Sequence, residues 1–246
     1  MRIVSWNIRA GGGKRIEAIA AQLATWNPDV LVLSEYRATP PSLWLADTLK
    51  HQGLIHQHST ANPRTPSVNS LLIAARWPMR RMRPRSVPNE PRRSAVFSIA
   101  APIPFAIGGV HVPLGITGRK NSFLDALLAM AQGWNKGPAL IVGDTNTGRI
   151  GIDEESPVFN PREDNWMQAM EQTQWHDSFR HIHGSELAYT WYSPNKGNGF
   201  RLDEGFVNQR LIGRLAEAYY EWGHVEDGSR RDALSDHAAL ILEFTD

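Results

Sequence analysis

The chain has 246 residues, of which 41% are hydrophobic and 21% are charged, and its 26 basic residues nearly balance its 25 acidic residues. This composition is typical of a globular protein, and the charge balance alone does not indicate a nucleic-acid partner. Because the sequence contains no cysteine, disulfides, thiolate metal sites and a cysteine nucleophile are excluded.

The first residues lead directly into a predicted strand over residues 2–8, without the basic and apolar regions of a signal peptide. No stretch approaches the roughly 18 apolar residues that a membrane span requires. We therefore expect a cytoplasmic protein that has no membrane partner.

Apolar runs predict strands throughout the chain, and several runs are continuous, as expected for strands covered on both faces. Three helical patterns lie between them: one stripe contains Ile16 and Leu23, a second contains Phe123 and Leu127, and a third follows Pro161. The predicted strands span residues 2–8, 29–34, 70–75, 95–100, 105–112, 139–143, 188–192, 200–208, 216–222 and 238–244.

The order of these elements predicts the fold class. Early strands alternate with helices, whereas later strands follow one another with few helices between them. This order favours an α/β fold in which two mixed sheets pack face to face with helices outside, a four-layer α-β-β-α sandwich. No repeat and no linker interrupts the chain, so we expect residues 1–246 to form a single domain.

Polar residues stand at the ends of apolar strands in six places along the chain. A charge in such a position is costly unless it is paired or bound to a metal. One case would be a helix or strand cap, but six together favour a single polar site at one rim of the sheets. The residues concerned are Asn7, Glu35, His111, Asp144 with Asn146, Asp203, and Asp236 with His237.

The donor atoms of this set indicate a chemistry. Carboxylate and carboxamide oxygens without sulfur suit Mg²⁺ or Mn²⁺, and the sequence lacks the histidine or cysteine spacing of a zinc site. A metal held by Glu35, with two histidines and further acids nearby, fits the hydrolysis of a phosphate ester.

Two other patterns are weaker. Residues 11–14 read Gly-Gly-Gly-Lys, but Ile8 and Arg15 replace the glycine and the hydroxyl residue of a phosphate loop, so we expect a flexible turn. A stretch between residues 76 and 93 is strongly basic, with only Glu90 opposing its charge, and it fits either a phosphate-attracting patch or a solvated loop. Its arginines are Arg76, Arg80, Arg81, Arg83, Arg85, Arg92 and Arg93.

The polar residues also match a known family in their order along the chain. The set resembles the endonuclease/exonuclease/phosphatase superfamily, and it is most similar to the exonuclease III and abasic-site endonuclease branch of DNA repair enzymes. The segments that match the superfamily are Trp6-Asn7, Glu35, His111, Gly143-Asp144-Thr145-Asn146, Arg201-Leu202-Asp203 and Ser235-Asp236-His237. The segments that match the branch are His176-Asp177-Ser178-Phe179-Arg180, Tyr189-Thr190-Trp191-Tyr192 and Phe200-Arg201-Leu202-Asp203.

The resemblance implies a metal site and a pocket. Glu35 would be the central Mg²⁺ ligand, supported by Asn7 and Asp236, and Mn²⁺ would substitute for Mg²⁺. An aromatic pocket accepts a flipped-out abasic sugar in that branch, and the residues at the matching positions are Trp191, Phe200 and Leu202.

The resemblance also implies catalytic roles. Asp144 would orient and deprotonate the attacking water, and Asn146 would help to hold the water or the phosphate. His237, paired with Asp203, would donate a hydrogen bond to the phosphate. His111 would stabilise the pentacovalent state or protonate the leaving oxygen.

Two departures from the branch leave the substrate open. His111 begins His-Val-Pro-Leu where the repair enzymes carry Tyr-x-Pro-Asn, and histidine there is more typical of the DNase, sphingomyelinase and phosphatase branches. Arg9 replaces a second acidic residue and would instead contact phosphates.

Three functions therefore remain in competition. The first is a DNA nuclease, acting as a 3′ exonuclease, an abasic-site endonuclease or both. The second is a phosphoesterase for inositol phosphates or sphingomyelin, and the third is an inactive binding protein. Nothing in the sequence indicates an obligate protein partner.

Overall fold

The computed structural model describes residues 1–223 and 234–245. The strands are β1 (Arg2–Asn7), β2 (Val30–Tyr36), β3 (His56–Ser59), β4 (Ser70–Ala75), β5 (Met79–Met82), β6 (Ser94–Ile99), β7 (Phe105–His111), β8 (Ala139–Asp144), β9 (Trp175–Asp177), β10 (Trp191–Tyr192), β11 (Gly199–Phe200), β12 (Asp203–Asn208), β13 (Leu215–Glu221) and β14 (Ala239–Phe244). The helices are α1 (Ile16–Trp26), α2 (Pro40–His51), α3 (Lys120–Gln132), α4 (Pro161–Gln172) and α5 (Ser178–His183).

Two six-stranded mixed sheets form the centre of the fold. Their strand orders are β13-β14-β1-β2-β4-β3 and β5-β6-β7-β8-β12-β9, and β10 and β11 form a separate hairpin. The sheets pack face to face, because one buried cluster contains Val32 and Leu240 of the first sheet together with Ile107 and Val142 of the second. The predicted α/β sandwich is therefore confirmed.

Helices cover the outer face of each sheet. Leu23 of α1 and Leu45 of α2 pack against the first sheet, and Leu127 of α3 and Met167 of α4 pack against the second. Each helix buries an apolar stripe at helical spacing, which is what the pattern of its sequence predicts for α1, α3 and α4. In the described part of the chain, none of the helices is both long and apolar enough to cross a bilayer.

Parallel pairs at the middle of each sheet position the polar residues. β1 runs parallel to β2, and β7 runs parallel to β8, so the carboxyl ends of each pair lie at the same edge. In the second sheet His111 is paired with Asp144, and Asp144 is also paired with Asp203 of the antiparallel β12. Residues from distant parts of the sequence thus meet at one rim.

The structure differs from the predicted strands in several places. The predicted strand over residues 200–208 is divided into β11 and β12, because Arg201 between them turns into a buried cluster of carboxylates. The sequence analysis did not predict α2, α5 or the short strands β3, β5 and β9. β3 and β5 consist of polar residues and methionine at the sheet edges, where backbone pairing rather than an apolar face defines the strand.

Candidate active site

A cavity of about 520 Å³ opens at the rim where the strand ends meet. Of the predicted site residues, Asn7 and Asp203 lie buried behind its wall, and Arg9 lies beside it with its guanidinium exposed. The polar lining consists of Glu35, His111, Lys120, Asp144, Asn146, Asn160, Glu163, Asp236 and His237. The apolar lining consists of Leu114, Ile116, Val158, Phe159, Trp191, Phe200 and Leu202.

Asp144 is a buried carboxylate that forms no hydrogen bond with a lysine or arginine side chain among the described residues. Asn7 Nδ2 donates to its Oδ2 over 2.9 Å, and the backbone N–H of Asn146 donates to its Oδ1 over 3.1 Å. Burial, followed by the charges of Asp203 and Glu35, raises the pKa of Asp144 to about 7, against the opposing effects of His237 and Asn7. A carboxylate that titrates near neutrality is suited to accept and release protons.

His237 is held in a fixed orientation by a carboxylate and by the backbone. Its Nδ1 lies 2.8 Å from Asp203 Oδ2, and its carbonyl accepts a hydrogen bond from Trp6 Nε1 over 2.9 Å. Burial lowers the pKa of His237, but the charge and hydrogen bond of Asp203, with smaller contributions from Asp144 and Asp236, raise it to about 10. His237 is therefore cationic at neutral pH and offers a charged N–H donor to the cavity.

His111 lies in the opposite electrostatic state. Its Nε2 is 3.6 Å from Asp144 Oδ2, and its Nδ1 has no hydrogen-bond partner within residues 1–223 and 234–245. Burial, together with the charges of Arg93 and His237, lowers the pKa of His111 to about 3. A neutral imidazole keeps one N–H group that can donate a hydrogen bond, but it is a very weak acid, so a hydrogen bond to the pentacovalent state suits His111 better than protonation of the leaving oxygen.

Glu35 occupies a strained backbone position at the end of β2. Its φ is 57°, in the left-handed region that residues with side chains rarely adopt. The turn before α1 holds it there, because the N–H groups of Ala10 and Gly11 donate to Glu35 Oε2 over 2.6 Å and to Glu35 O over 2.8 Å. The predicted turn before α1 is confirmed, and it is closely packed at Gly11, where an added Cβ would lie 2.8 Å from Ser42 Oγ.

The three predicted metal ligands, Glu35, Asn7 and Asp236, lie in the wall of the cavity or directly behind it. Asn7 Oδ1 already accepts a hydrogen bond from Arg9 N over 3.0 Å, and Asp236 Oδ2 lies 3.6 Å from Arg9 Nε. Within the described ranges, no group of three or more His, Cys, Asp and Glu side chains is arranged to hold a metal. Two carboxylates on the cavity wall, Glu35 and Asp236, offer oxygen ligands of the kind that a divalent ion with several bound waters needs.

Arg201, which the sequence analysis noted only as part of a motif, is fully buried beside this site. Its Nε donates to Asp153 Oδ1 over 2.7 Å and its Nη2 to Asp177 Oδ2 over 2.5 Å, and Glu204 Oε1 lies 3.3 Å away. Arg180 also pairs with Asp153. We call these five residues the Arg201 cluster.

Lys120 is a second buried cation that the sequence analysis missed. It begins α3, is 8% exposed, and lines the cavity. Its Nζ donates to Asn146 O over 2.5 Å and forms an ion pair with Glu163. Glu163 belongs to a capping box that starts at Asn160, a pattern that can be read from the sequence, whereas Lys120 carries no such signal.

The arginine stretch is divided among several environments. Arg93 alone of the seven donates to a site residue, from Nη1 to His111 O over 3.3 Å, and burial and then the charge of Arg119 lower its pKa. Arg76 pairs with Asp29 next to the opposite end of β2. Part of the stretch forms β5, so the predicted alternative of one solvated loop was wrong for those residues.

The sequence matches one family of known proteins over most of its length. The family model described as "Endonuclease/Exonuclease/phosphatase family" matches residues 4–237. An exodeoxyribonuclease from Streptococcus pneumoniae serotype 4 is 25% identical over 121 residues, which cover 44% of this chain and 41% of that protein. The chain thus spans about two fifths of the length of the curated relatives that it matches.

Solved structures share the fold over nearly the whole chain. An AP endonuclease from Archaeoglobus fulgidus has a TM-score of 0.82 and 20% identity, with 100% of both chains covered. A 3′ phosphatase from Neisseria bound to a product DNA hairpin has a TM-score of 0.81 and 21% identity, covering 100% of this chain and 99% of that one. A 3′-5′ exonuclease from Neisseria meningitidis has a TM-score of 0.80 and 21% identity, with 99% of each chain covered. At these identities the likeness establishes the fold alone.

Proposed function

The chain belongs to the endonuclease/exonuclease/phosphatase family, and on this premise we propose that it is a Mg²⁺-dependent phosphodiesterase that cleaves DNA. The activity would be that of a 3′ exonuclease, an abasic-site endonuclease or both. One observation carries the proposal: a carboxylate with a pKa near 7, Asp144, lines the same cavity as a cationic histidine, His237. A proton acceptor and a charged donor in one site are what in-line attack of water on phosphorus requires.

In the proposed mechanism Asp144 accepts a proton from the attacking water, the P–O bond on the opposite side of phosphorus breaks, and the leaving oxygen takes up a proton from solvent. The backbone N–H of Asn146 orients Asp144, and the side chain of Asn146 faces the same cavity to hold the water or the phosphate. His237 donates its Nε2 proton in a hydrogen bond to a phosphate oxygen, and Asp203 keeps the ring oriented. A divalent ion on Glu35 and Asp236 would neutralise charge on the phosphate oxygens, and Mn²⁺ would replace Mg²⁺ there.

The lining of the cavity supports a nucleotide substrate. Trp191 and Phe200 lie with ring centroids 5.9 Å apart, and Leu202 lines the same wall. Phe159, which the resemblance did not include, packs edge-on against Phe200 at 5.6 Å and extends this apolar surface. Such a surface suits a sugar or a base beside the scissile phosphate, and Arg9 next to the cavity suits flanking phosphates.

A substrate panel tests the proposal directly. The protein is incubated in Mg²⁺ with end-labelled DNA duplexes that carry a recessed 3′ end, a 3′ phosphate or an abasic site, and with matched RNA. We expect cleavage of at least one DNA duplex, its loss in EDTA, and its return with Mg²⁺ or Mn²⁺. Cleavage that is unaffected by EDTA, or no cleavage of any DNA, would contradict the proposal.

One observation favours a second candidate function. His111 stands against Asp144 in the cavity, and histidine at this position is more typical of the DNase, sphingomyelinase and phosphatase branches, of which the last two act on other phosphate esters. Inositol phosphates and sphingomyelin are therefore added to the panel, and turnover of these substrates with intact DNA would favour this alternative. A cytoplasmic location, a single domain over residues 1–246 and the absence of an obligate protein partner stay predictions.

A further inference from the structure

Lys120 is a buried lysine, and the stability of the fold does not explain why a charged side chain lies there. Lys120 is 8% exposed, and its charge is balanced by Glu163 at the start of α4. A buried ion pair generally contributes no more stability than a well-packed apolar pair of the same volume, because both charges lose their water. A lysine kept in such a place therefore points to a task that an apolar side chain cannot perform.

The second contact of Lys120 identifies that task. Asn146 has φ 49°, and three of its four polar groups are fixed. Its N–H donates to Asp144 Oδ1 over 3.1 Å, its Nδ2 donates to Val112 O over 2.8 Å, and its carbonyl accepts from Lys120 Nζ over 2.5 Å. The side-chain oxygen Oδ1 is the remaining group, on a residue that lines the cavity.

We propose that Lys120 is a positioning residue for the hydrolytic site, an inference that rests on the proposed function. Its ammonium group holds the left-handed backbone of Asn146, so that Asn146 Oδ1 presents an acceptor to the cavity and the Asn146 N–H orients Asp144. Glu163 in turn fixes the ammonium group. Lys120 itself takes no part in proton transfer.

A double substitution tests the proposal without leaving a charge unpaired. Lys120→Met with Glu163→Gln removes the donor to Asn146, and glutamine can still accept the hydrogen bonds of the capping box at Asn160. Because small displacements of oriented groups are costly in catalysis, we expect kcat to fall about 10- to 100-fold, with a much smaller change in KM. The melting temperature should stay close to that of the wild type.

The chain offers a matched control for this pair. Arg162 of α4 and Asp125 of α3 form an exposed ion pair of 2.8 Å between the same two helices. Arg162→Gln with Asp125→Asn should leave kcat, KM and the melting temperature unchanged. An equal loss of kcat in both double variants would mean that helix packing, and not the Lys120–Asn146 bond, is responsible, and it would overturn the proposal.

Chemical rescue gives a further test, because the sequence contains no cysteine. In a Lys120→Cys variant the new thiol is the only thiol for bromoethylamine to modify. The aminoethyl group that is added rebuilds a lysine-like side chain with an ammonium group at its tip. The variant should have a low kcat, and the fully modified protein, verified by its mass, should recover at least tenfold. A modified, folded protein whose kcat stays low would contradict the role of the ammonium group.

A readout without turnover separates this inference from the proposed function. The side-chain amide signals of Asn146 in ¹⁵N NMR spectra should shift or broaden in the Lys120/Glu163 double variant and not in the Arg162/Asp125 control. A wild-type protein that cleaves no DNA would refute the proposed function, while the NMR comparison would still decide the positioning role. Unchanged Asn146 signals, or a wild-type kcat in the folded Lys120/Glu163 variant, would overturn it.

Discussion

Two groups of buried charges lie side by side at the start of β12, and they are built in opposite ways. In the Arg201 cluster, burial would raise the pKa of Asp153, but the charges and hydrogen bonds of Arg201 and Arg180 outweigh it and hold the pKa below its usual value. In the cavity, Asp144 has no such ion pair, and burial raises its pKa to about 7. Equal burial thus produces a stable ion pair in one place and a reactive carboxylate in the other.

Glu204 departs from this contrast. Glu204 belongs to the Arg201 cluster, yet burial outweighs Arg201 and raises the pKa of Glu204 well above its usual value. Its Oε2 accepts a hydrogen bond from Thr145 over 2.7 Å, next to Asp144 in sequence. The cluster therefore contacts the residue next to Asp144, and we infer that it stabilises the strand ends that carry the proposed catalytic groups.

The largest expected effect is the decrease in unfolding free energy when Arg201 is replaced. Arg201→Met leaves Asp153 and Asp177 without their main buried cation, and breaking a buried pair in this way costs about 3–5 kcal/mol of unfolding free energy. Urea denaturation measures this loss. The control Arg162→Met removes an exposed ion pair, which is worth at most about 1 kcal/mol. Equal losses in the two variants would mean that the cluster is not structural.

The next effect concerns the pairing of His237 with Asp203. We expect Asp203→Asn and His237→Gln each to lower kcat by about 100-fold or more, because each removes the oriented, charged donor. The double variant should be little worse than either single variant, since both changes remove one interaction. If the loss of kcat in the double variant equals the product of the two single losses, the two residues act separately.

A third experiment measures how much the buried charge of Asp144, which has no ion pair with a lysine or arginine among the described residues, lowers the free energy of unfolding. A carboxyl whose folded pKa is raised destabilises the fold as pH rises from its unfolded value of 3.8 to about 7. Asp144→Asn should therefore be more stable than the wild type at pH 8, measured in EDTA, and this advantage should disappear below about pH 4. A variant that is less stable at pH 8 would show that Asp144 is paired after all.

The smallest expected effect concerns Arg93, which lies beside the cavity and outside the Arg201 cluster. If its guanidinium contacts a substrate phosphate, Arg93→Gln should weaken DNA binding and lower the salt dependence of log K by about 1. Fluorescence anisotropy over a range of salt concentrations measures both quantities. Arg76→Gln, near the opposite end of β2, should leave the slope unchanged, and equal slopes in all three proteins would remove Arg93 from the binding surface.

The sequence predicted the residues that line the cavity better than it predicted the buried charged residues that hold them in place. Glu35, His111 and Asp144 stand out because each follows a continuous apolar strand, and strand ends of parallel pairs must meet. Asp153 and Asp177 come from a loop and a three-residue strand, so no periodic pattern marks them before the fold brings them to Arg201. Lys120 was missed for the same reason, because its partners Asn146 and Glu163 are distant in sequence.

The secondary-structure elements differ in the same way: those with a periodic sequence pattern were predicted, and those without one were missed. Most long apolar strands were predicted with small errors at their ends, and the stripes of α1, α3 and α4 were predicted without exact bounds, since their periodicity reports burial directly. The edge strand β3, with the sequence His-Gln-His-Ser, has no apolar face, and only its pairing with β4 defines it. The helix α2 begins with two prolines and has few buried residues, which weakens its periodic signal.

The central claim is that Asp144 deprotonates the attacking water in a site that cleaves phosphodiesters. The most direct measurement is the single-turnover cleavage rate of a labelled DNA duplex in Mg²⁺ by the wild type and by Asp144→Asn, together with the affinity of each for the same duplex. We predict that the wild type cleaves the duplex, that the variant cleaves it at least about 100-fold more slowly, and that the two proteins bind it with similar affinities. Equal rates in the two proteins would contradict the claim.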